Sequence, residues 1–305
     1  MAIKIYREPK LKSPVMVVGW PGIGNIGLIA VDTLRSAVDA VEFGEIESWH
    51  FFYPRKVIIK EGILEELEFP TNRFYFKKGE KNDLIFFIGE EQPRKTLSGY
   101  AEGEDAYRMA NLVLDVAEKF GCRRIYTSGA AVALIHHTTT SRVWAVPNTE
   151  RLVKEIKEYP NTILMSQVEG VGGQGFISGL NGLLLGVARK RGFEGICLMG
   201  EIPIYFQGLP IPYSRGSKSV LEVFSAILGI EIDFEKFDKD YQFVEKKIED
   251  IYNQIPSEFK ENLEKLKEIS YLKQPKIEQL TEEDKKRLWE EISKFLKRES
   301  DEGNI

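Results

Sequence analysis

At 305 residues the chain is long enough to bury one large core, or one core with a smaller unit attached. Apolar residues make up 43% and charged residues 29%, a globular balance that excludes a disordered chain. The formal charge of -5 supplies no polybasic field, so neither nucleic acid nor an acidic membrane is an expected partner.

Met1–Lys12 is polar and basic with no apolar stretch, unlike a secretory signal. Strand Val15–Gly19 follows, apolar on consecutive positions as in a strand buried on both faces. Next comes Gly22-x-Gly24-x-x-Gly27, placed between this strand and a helix over Leu28–Ser36. That placement suits a dinucleotide-binding turn, in which glycines admit a pyrophosphate to a helix N-terminus. Two details weigh against it. Pro21 stiffens the approach, and the acids at the right distance, Glu42 and Glu45, lie inside the next strand rather than at its end. The competing reading is structural: three glycines close a tight turn and bring the helix against the sheet.

Extended segments are predicted at Val41–Ile46, Trp49–Tyr53, Val57–Lys60, Arg73–Lys77 and Leu84–Ile88. The helix Ala101–Phe120 carries Ala106, Met109, Ala110, Val113, Val116 and Ala117 at helical spacing, and Gly121 ends it. Glu90, Glu91, Glu102, Glu104 and Asp105 gather near the end of the preceding strand, where α/β sheets bind ligands. The last three equally suit a helix N-terminus through its dipole.

Further strands are expected at Arg124–Ser128, Val143–Pro147, Thr162–Ser166 and Ile196–Met199, with helices at Glu150–Lys157, Ser178–Lys190 and Lys218–Leu228. This alternation implies a mostly parallel sheet covered on both faces. Ser128 lacks the Gly-x-Ser-x-Gly elbow, so a triad with His136 or His137 and Asp105 is not expected. His136 and His137, read as strand neighbours, would point to opposite faces and share no metal. Cys122 and Cys197 fit free cytosolic thiols. Gly170–Gly175 could form an anion nest but lacks the lysine of a phosphate-binding loop. Gly179, Gly182 and Gly186 cost about 1 kcal/mol each inside a helix, and close packing is the expected return. The longest apolar run, Phe176–Ala188, is too short to span a bilayer, which leaves the cytoplasm as the expected location.

Composition changes near Asp233: 25 of 26 glycines precede it, and Asp238–Ile305 holds 18 acidic and 14 basic residues. The expected division is an α/β core over 1–232 and a charged helical extension over 233–305. Tyr241, Val244, Ile248, Ile251 and Ile255 step by 3 and 4, forming a helical seam. A capping box at Thr281-x-x-Asp284 opens a second helix with Leu288, Ile292 and Phe295 on one face. Helices this short are marginal alone, so they are candidate interaction helices that must dock on the body, a neighbouring subunit or a partner.

Gly19-Trp-Pro21-Gly22-Ile-Gly24-Asn25-Ile-Gly27 resembles the opening signature of the proteasome assembly chaperone 2 family. Ile177–Leu184 and Gly195–Pro203 are similar to that family as well, and the resemblance covers about residues 13–230. It implies a mixed or mostly parallel α/β fold akin to nucleoside phosphorylases, without their catalytic apparatus. It further implies a homo-oligomer, ring-like, that binds protein subunits, with no cofactor, catalytic residue or metal, and a structural role for the Gly22–Gly27 turn. The alternative is a nucleotide- or nucleoside-binding enzyme that uses that turn. One departure stands out. The chain ends Glu302-Gly303-Asn304-Ile305, with Asn304 where proteasome-docking members carry tyrosine, so a client other than the proteasome is left open.

Overall fold

The computed structural model describes residues 2–93, 103–167 and 175–268, together with Lys286 and Glu290. Its first half runs β1 (Ile3–Ile5), β2 (Val15–Gly19), α1 (Ile26–Ala37) and β3 (Val41–Ile46), then a separate ribbon of β4 (Lys56–Lys60) and β5 (Ile63–Glu68). β6 (Asn72–Lys77), β7 (Leu84–Gly89) and α2 (Gly103–Lys119) follow. The second half is β8 (Arg124–Ala133), β9 (Val143–Pro147), α3 (Leu152–Ile156), β10 (Thr162–Leu164), α4 (Gly179–Lys190), β11 (Glu194–Pro203) and α5 (Ser214–Leu228). Tail helices follow among the described residues: α6 (Phe234–Asp240), α7 (Gln242–Gln254) and α8 (Ser257–Glu264).

Nine strands form one sheet in the order β1-β3-β6-β7-β2-β8-β11-β9-β10. Its centre, β7-β2-β8-β11, is parallel, as crossover helices require. The flanks are not. β3, β6 and β9 each run antiparallel to an inner neighbour, so the sheet is mixed rather than mostly parallel. For β6 and β7 the cause is local: a short turn separates them, too short for a crossover.

Both faces are covered. Along β2, Val17 joins the core beneath α1 and α5, whereas Met16 and Val18 join the core beneath α2 and α4. This is the alternation of a strand buried twice over, which accounts for its unbroken apolar run. Trp49–Tyr53, expected as extended, is instead a 3-10 turn at Ser48–His50 and a loop. The Ser48 hydroxyl donates to the Pro70 carbonyl, and Phe51 and Phe52 fold toward the α2 side. The ribbon strand β5 escaped the sequence reading because Glu65, Glu66 and Glu68 interrupt its apolar alternation.

Candidate functional site

The glycine turn is built by contacts within the chain. Gly22 is extended, at φ -164°, with open space where a Cβ would stand. Gly24 (φ 59°) and Asn25 (φ 49°) are left-handed, which reverses the chain into α1. A Cβ at Gly24 would lie 2.9 Å from the Tyr213 Cβ and 3.0 Å from the Ile202 Cδ1, and Tyr213 N donates to the Gly24 carbonyl at 2.8 Å. A Cβ at Gly27 would collide with the Ser128 carbonyl on β8, and one at Gly19 would press on Val31 at 3.0 Å. The space beside the Gly24 Cα into which a side chain would project is occupied by Tyr213 and Ile202.

Beside the turn, Glu90-Glu91-Gln92 joins three parts of the molecule. Arg55, at the base of the ribbon, donates to Glu90 at 2.9 Å and to Glu91 at 2.8 Å. The Gln92 amide donates to the Pro21 carbonyl, and its Oε1 accepts from Leu180 N at 2.8 Å, satisfying a free donor in the first turn of α4. Glu104 and Asp105 lie in the first turn of α2. Glu102 and positions 170–174 fall outside the described residues. The Ser128 hydroxyl is committed to the Leu198 carbonyl at 2.9 Å, and Asp105 is exposed on the α2 side of the sheet, so neither stands as a partner in a triad.

His136 and His137 are not on a strand. β8 stops at Ala133, and in the loop beyond it the two rings lie side by side with centroids 4.2 Å apart. His137 N donates to the Tyr205 hydroxyl at 2.7 Å, and His136 Nδ1 pairs with Thr138 Oγ1 at 2.7 Å. Both Nε2 atoms lack a hydrogen bond; they face tail carboxylates, Glu264 at 3.6 Å and Glu249 at 3.3 Å. Burial, followed by the neighbouring His137 and Lys267 charges, lowers His136 to about 4; burial also lowers His137. Both are neutral near pH 7. No metal-holding group of three or more His, Cys, Asp or Glu occurs among the described residues.

Glu201 went unnoticed in the sequence as a site residue. It is fully buried, accepting from Arg142 N at 2.8 Å and Trp144 Nε1 at 2.7 Å. The signal was a lone charge inside the apolar run Gly195–Pro203.

The tail seam is spent on the chain's own body. Ile248, Ile251 and Ile255 are buried in the core beneath α1 and α5, and Tyr241 and Val244 pack against it. Arg215 of α5 pairs with Glu245 at 2.6 Å and Lys218 with Asp238 at 2.7 Å, fastening α6 and α7 in place. Of the docking sites open to these five side chains, the structure gives them the body, because their apolar area is removed from water there. Leu288, Ile292, Phe295 and the capping box at Thr281 and Asp284 lie outside the described residues.

The chain is thus a two-faced mixed α/β fold in which Gly19, Gly24 and Gly27 of the turn pack closely against Val31, Tyr213, Ile202 and Ser128. The PAC2 family model matches residues 16–252, and the chain belongs to that family. Among solved structures it is similar to Pyrococcus furiosus PbaB, described as an archaeal proteasome activator: 30% identity, TM-score 0.66, covering 82% of this chain and 98% of that one. It shares the fold of Pyrococcus furiosus PbaA, described as an archaeal homolog of proteasome-assembly chaperone, at 23% identity and TM-score 0.59, covering 83% and 97%. An uncharacterized protein of Methanocaldococcus jannaschii, MJ1210, is 28% identical over 245 residues, covering 80% of this chain and 84% of the relative. Among the described residues no helix is long and apolar enough to cross a membrane.

Proposed function

We propose that this chain is a non-enzymatic, oligomeric assembly scaffold that holds protein subunits in the cytoplasm, with proteasome subunits as the first clients to test. The observation that carries the reading is the turn. Gly24 and Gly27 are consumed by Tyr213, Ile202 and Ser128, so the feature most suggestive of nucleotide chemistry is spent on packing. Similarity to a proteasome activator and to a homolog of an assembly chaperone supports the class of client. Residues 1–232 act as the scaffold body and 233–305 as an extension whose seam shares the body's core.

The test has two arms. Light scattering on purified chain, alone and mixed with proteasome α subunits from the same source, is expected to give a homo-oligomer that binds them. A thermal-shift panel of NAD, ATP, nucleosides and phosphate is expected to be silent. A ligand at 100 times its dissociation constant would stabilise by about 2.7 kcal/mol, well above detection. A clientless monomer, or a clear shift with one nucleotide, overturns the proposal.

A further inference from the structure

Two apolar surfaces lack partners among the described residues. The first is the β4–β5 ribbon. Its register sets Val57 opposite Leu67 and Ile59 opposite Leu64, so four aliphatic side chains share one face. They are 45 to 64% exposed. On the other face Lys56 lies opposite Glu68 and Lys60 opposite the exposed Ile63, with Ile58 between them, and Lys60 also pairs with Glu65 at 2.6 Å. A two-stranded ribbon with an uncovered apolar face is marginal in water. Residues 56–68 hold four glutamates against two lysines, so the ribbon is acidic.

The second surface is a groove of about 550 Å³ beside α2 and α4, floored by Tyr107, Ile177, Leu183 and Val187 and ending at Lys190. Gly186 opens into it. A Cβ at Gly182 would collide with the Ile177 carbonyl, whereas one at Gly186 would meet nothing within 4 Å. Among the described residues Gly186 therefore bears the helix cost of glycine, about 1 kcal/mol, with no packing return. Phe176 and Tyr107, 89% and 54% exposed, stand near this groove. α4 has no acidic residue, and Arg189 and Lys190 close its last turn.

We propose that the β4–β5 ribbon of one copy lies in the α2–α4 groove of the next copy. This rests on the oligomeric reading above and assigns it a surface. The aliphatic face covers the apolar floor, the ribbon backbone approaches the notch at Gly186, and the acidic ribbon meets Arg189 and Lys190. Charge complementarity between the acidic ribbon and the basic last turn of α4 selects a second copy as the occupant, in the orientation that keeps the ribbon's glutamates away from Glu104 and Asp105 in the first turn of α2. Because the two patches differ, the contact is head-to-tail, and repeating it closes a ring or extends a filament.

The experiment uses two full-length variants, Leu64→Asp in the ribbon and Gly186→Trp in the groove, checked for native circular dichroism. Both changes fall on exposed positions, so the fold should hold. Each variant alone is expected to self-associate at least about tenfold more weakly, as loss of an interface anchor does. Mixed together they should form a one-to-one dimer, since the mixture retains one intact ribbon and one intact groove. A wild-type monomer overturns this inference and the oligomeric reading together. An oligomer of unchanged mass in both variants overturns this inference alone. Variants that dissociate but form no dimer on mixing refute the ribbon-to-groove pairing, and variants that keep their mass but lose a protein client refute a second copy as the occupant.

Discussion

Replacing Ile251 by alanine tests whether the tail is part of the body or an appendage. Ile251 is fully buried, in the same cluster as Ile26 of α1 and Phe224 of α5. Removing most of a buried isoleucine side chain costs about 2–5 kcal/mol, the spread reflecting how far the site collapses. For a chain of this size each kcal/mol moves the midpoint by about 2–4 °C, so a loss near 3 kcal/mol lowers it by roughly 6–12 °C. The control is Phe243→Ala on the same helix, where the side chain is 70% exposed and the change should stay within about 0.5 kcal/mol. Differential scanning calorimetry reads both. A single peak moved down in Ile251→Ala means one cooperative unit. A body peak left in place, with a new low-temperature transition beside it, would refute the shared core.

Three more predictions follow from the same geometry. Gly27→Ala should destabilise by about 2 kcal/mol or more because its Cβ meets the Ser128 carbonyl, whereas Gly22→Ala should be near neutral in urea titration. Equal sensitivity at both positions would contradict the packing account. Docked His136 titrates near 4 against an ordinary 6.5, so the undocked state takes up protons first as pH falls. Tail docking should hold fully above about pH 6.5 and weaken as pH falls toward 4, seen as faster hydrogen exchange in α7 and α8; His136→Asn should flatten that dependence. Burial pushes Cys122 up to about 12 and Cys197 up to about 11, so both thiols should resist Ellman's reagent at pH 8 until the chain is unfolded.

The central strand Val15–Gly19 was legible because burial on both faces writes an unbroken apolar run, and it matches residue for residue, as does Val143–Pro147 nearer the edge, where burial alternates. β8 and β11 run longer than expected, since Gly129, Ala130, Gly200 and Glu201 dilute the apolar signal. Strand direction was not legible at the flanks, because antiparallel pairing depends on connection length and partner choice rather than composition. The histidine pair was misread by assuming a strand. Its neighbours Tyr205, Tyr252, Glu249 and Glu264 come from segments at least 68 residues away in sequence, which no local pattern reveals. The tail seam was visible as periodicity, but which surface received it was decided by three-dimensional packing.

Glu90-Glu91-Gln92 has a mechanical consequence. Through Arg55 it grips the ribbon, through Pro21 the glycine turn, and through Leu180 the start of α4. A load on the ribbon is thus delivered by one short strut to the opening of the helix that carries Gly186. The two exposed Arg55 pairs are the compliant joint of that strut, so added salt slackens the linkage while the buried sheet stays stiff.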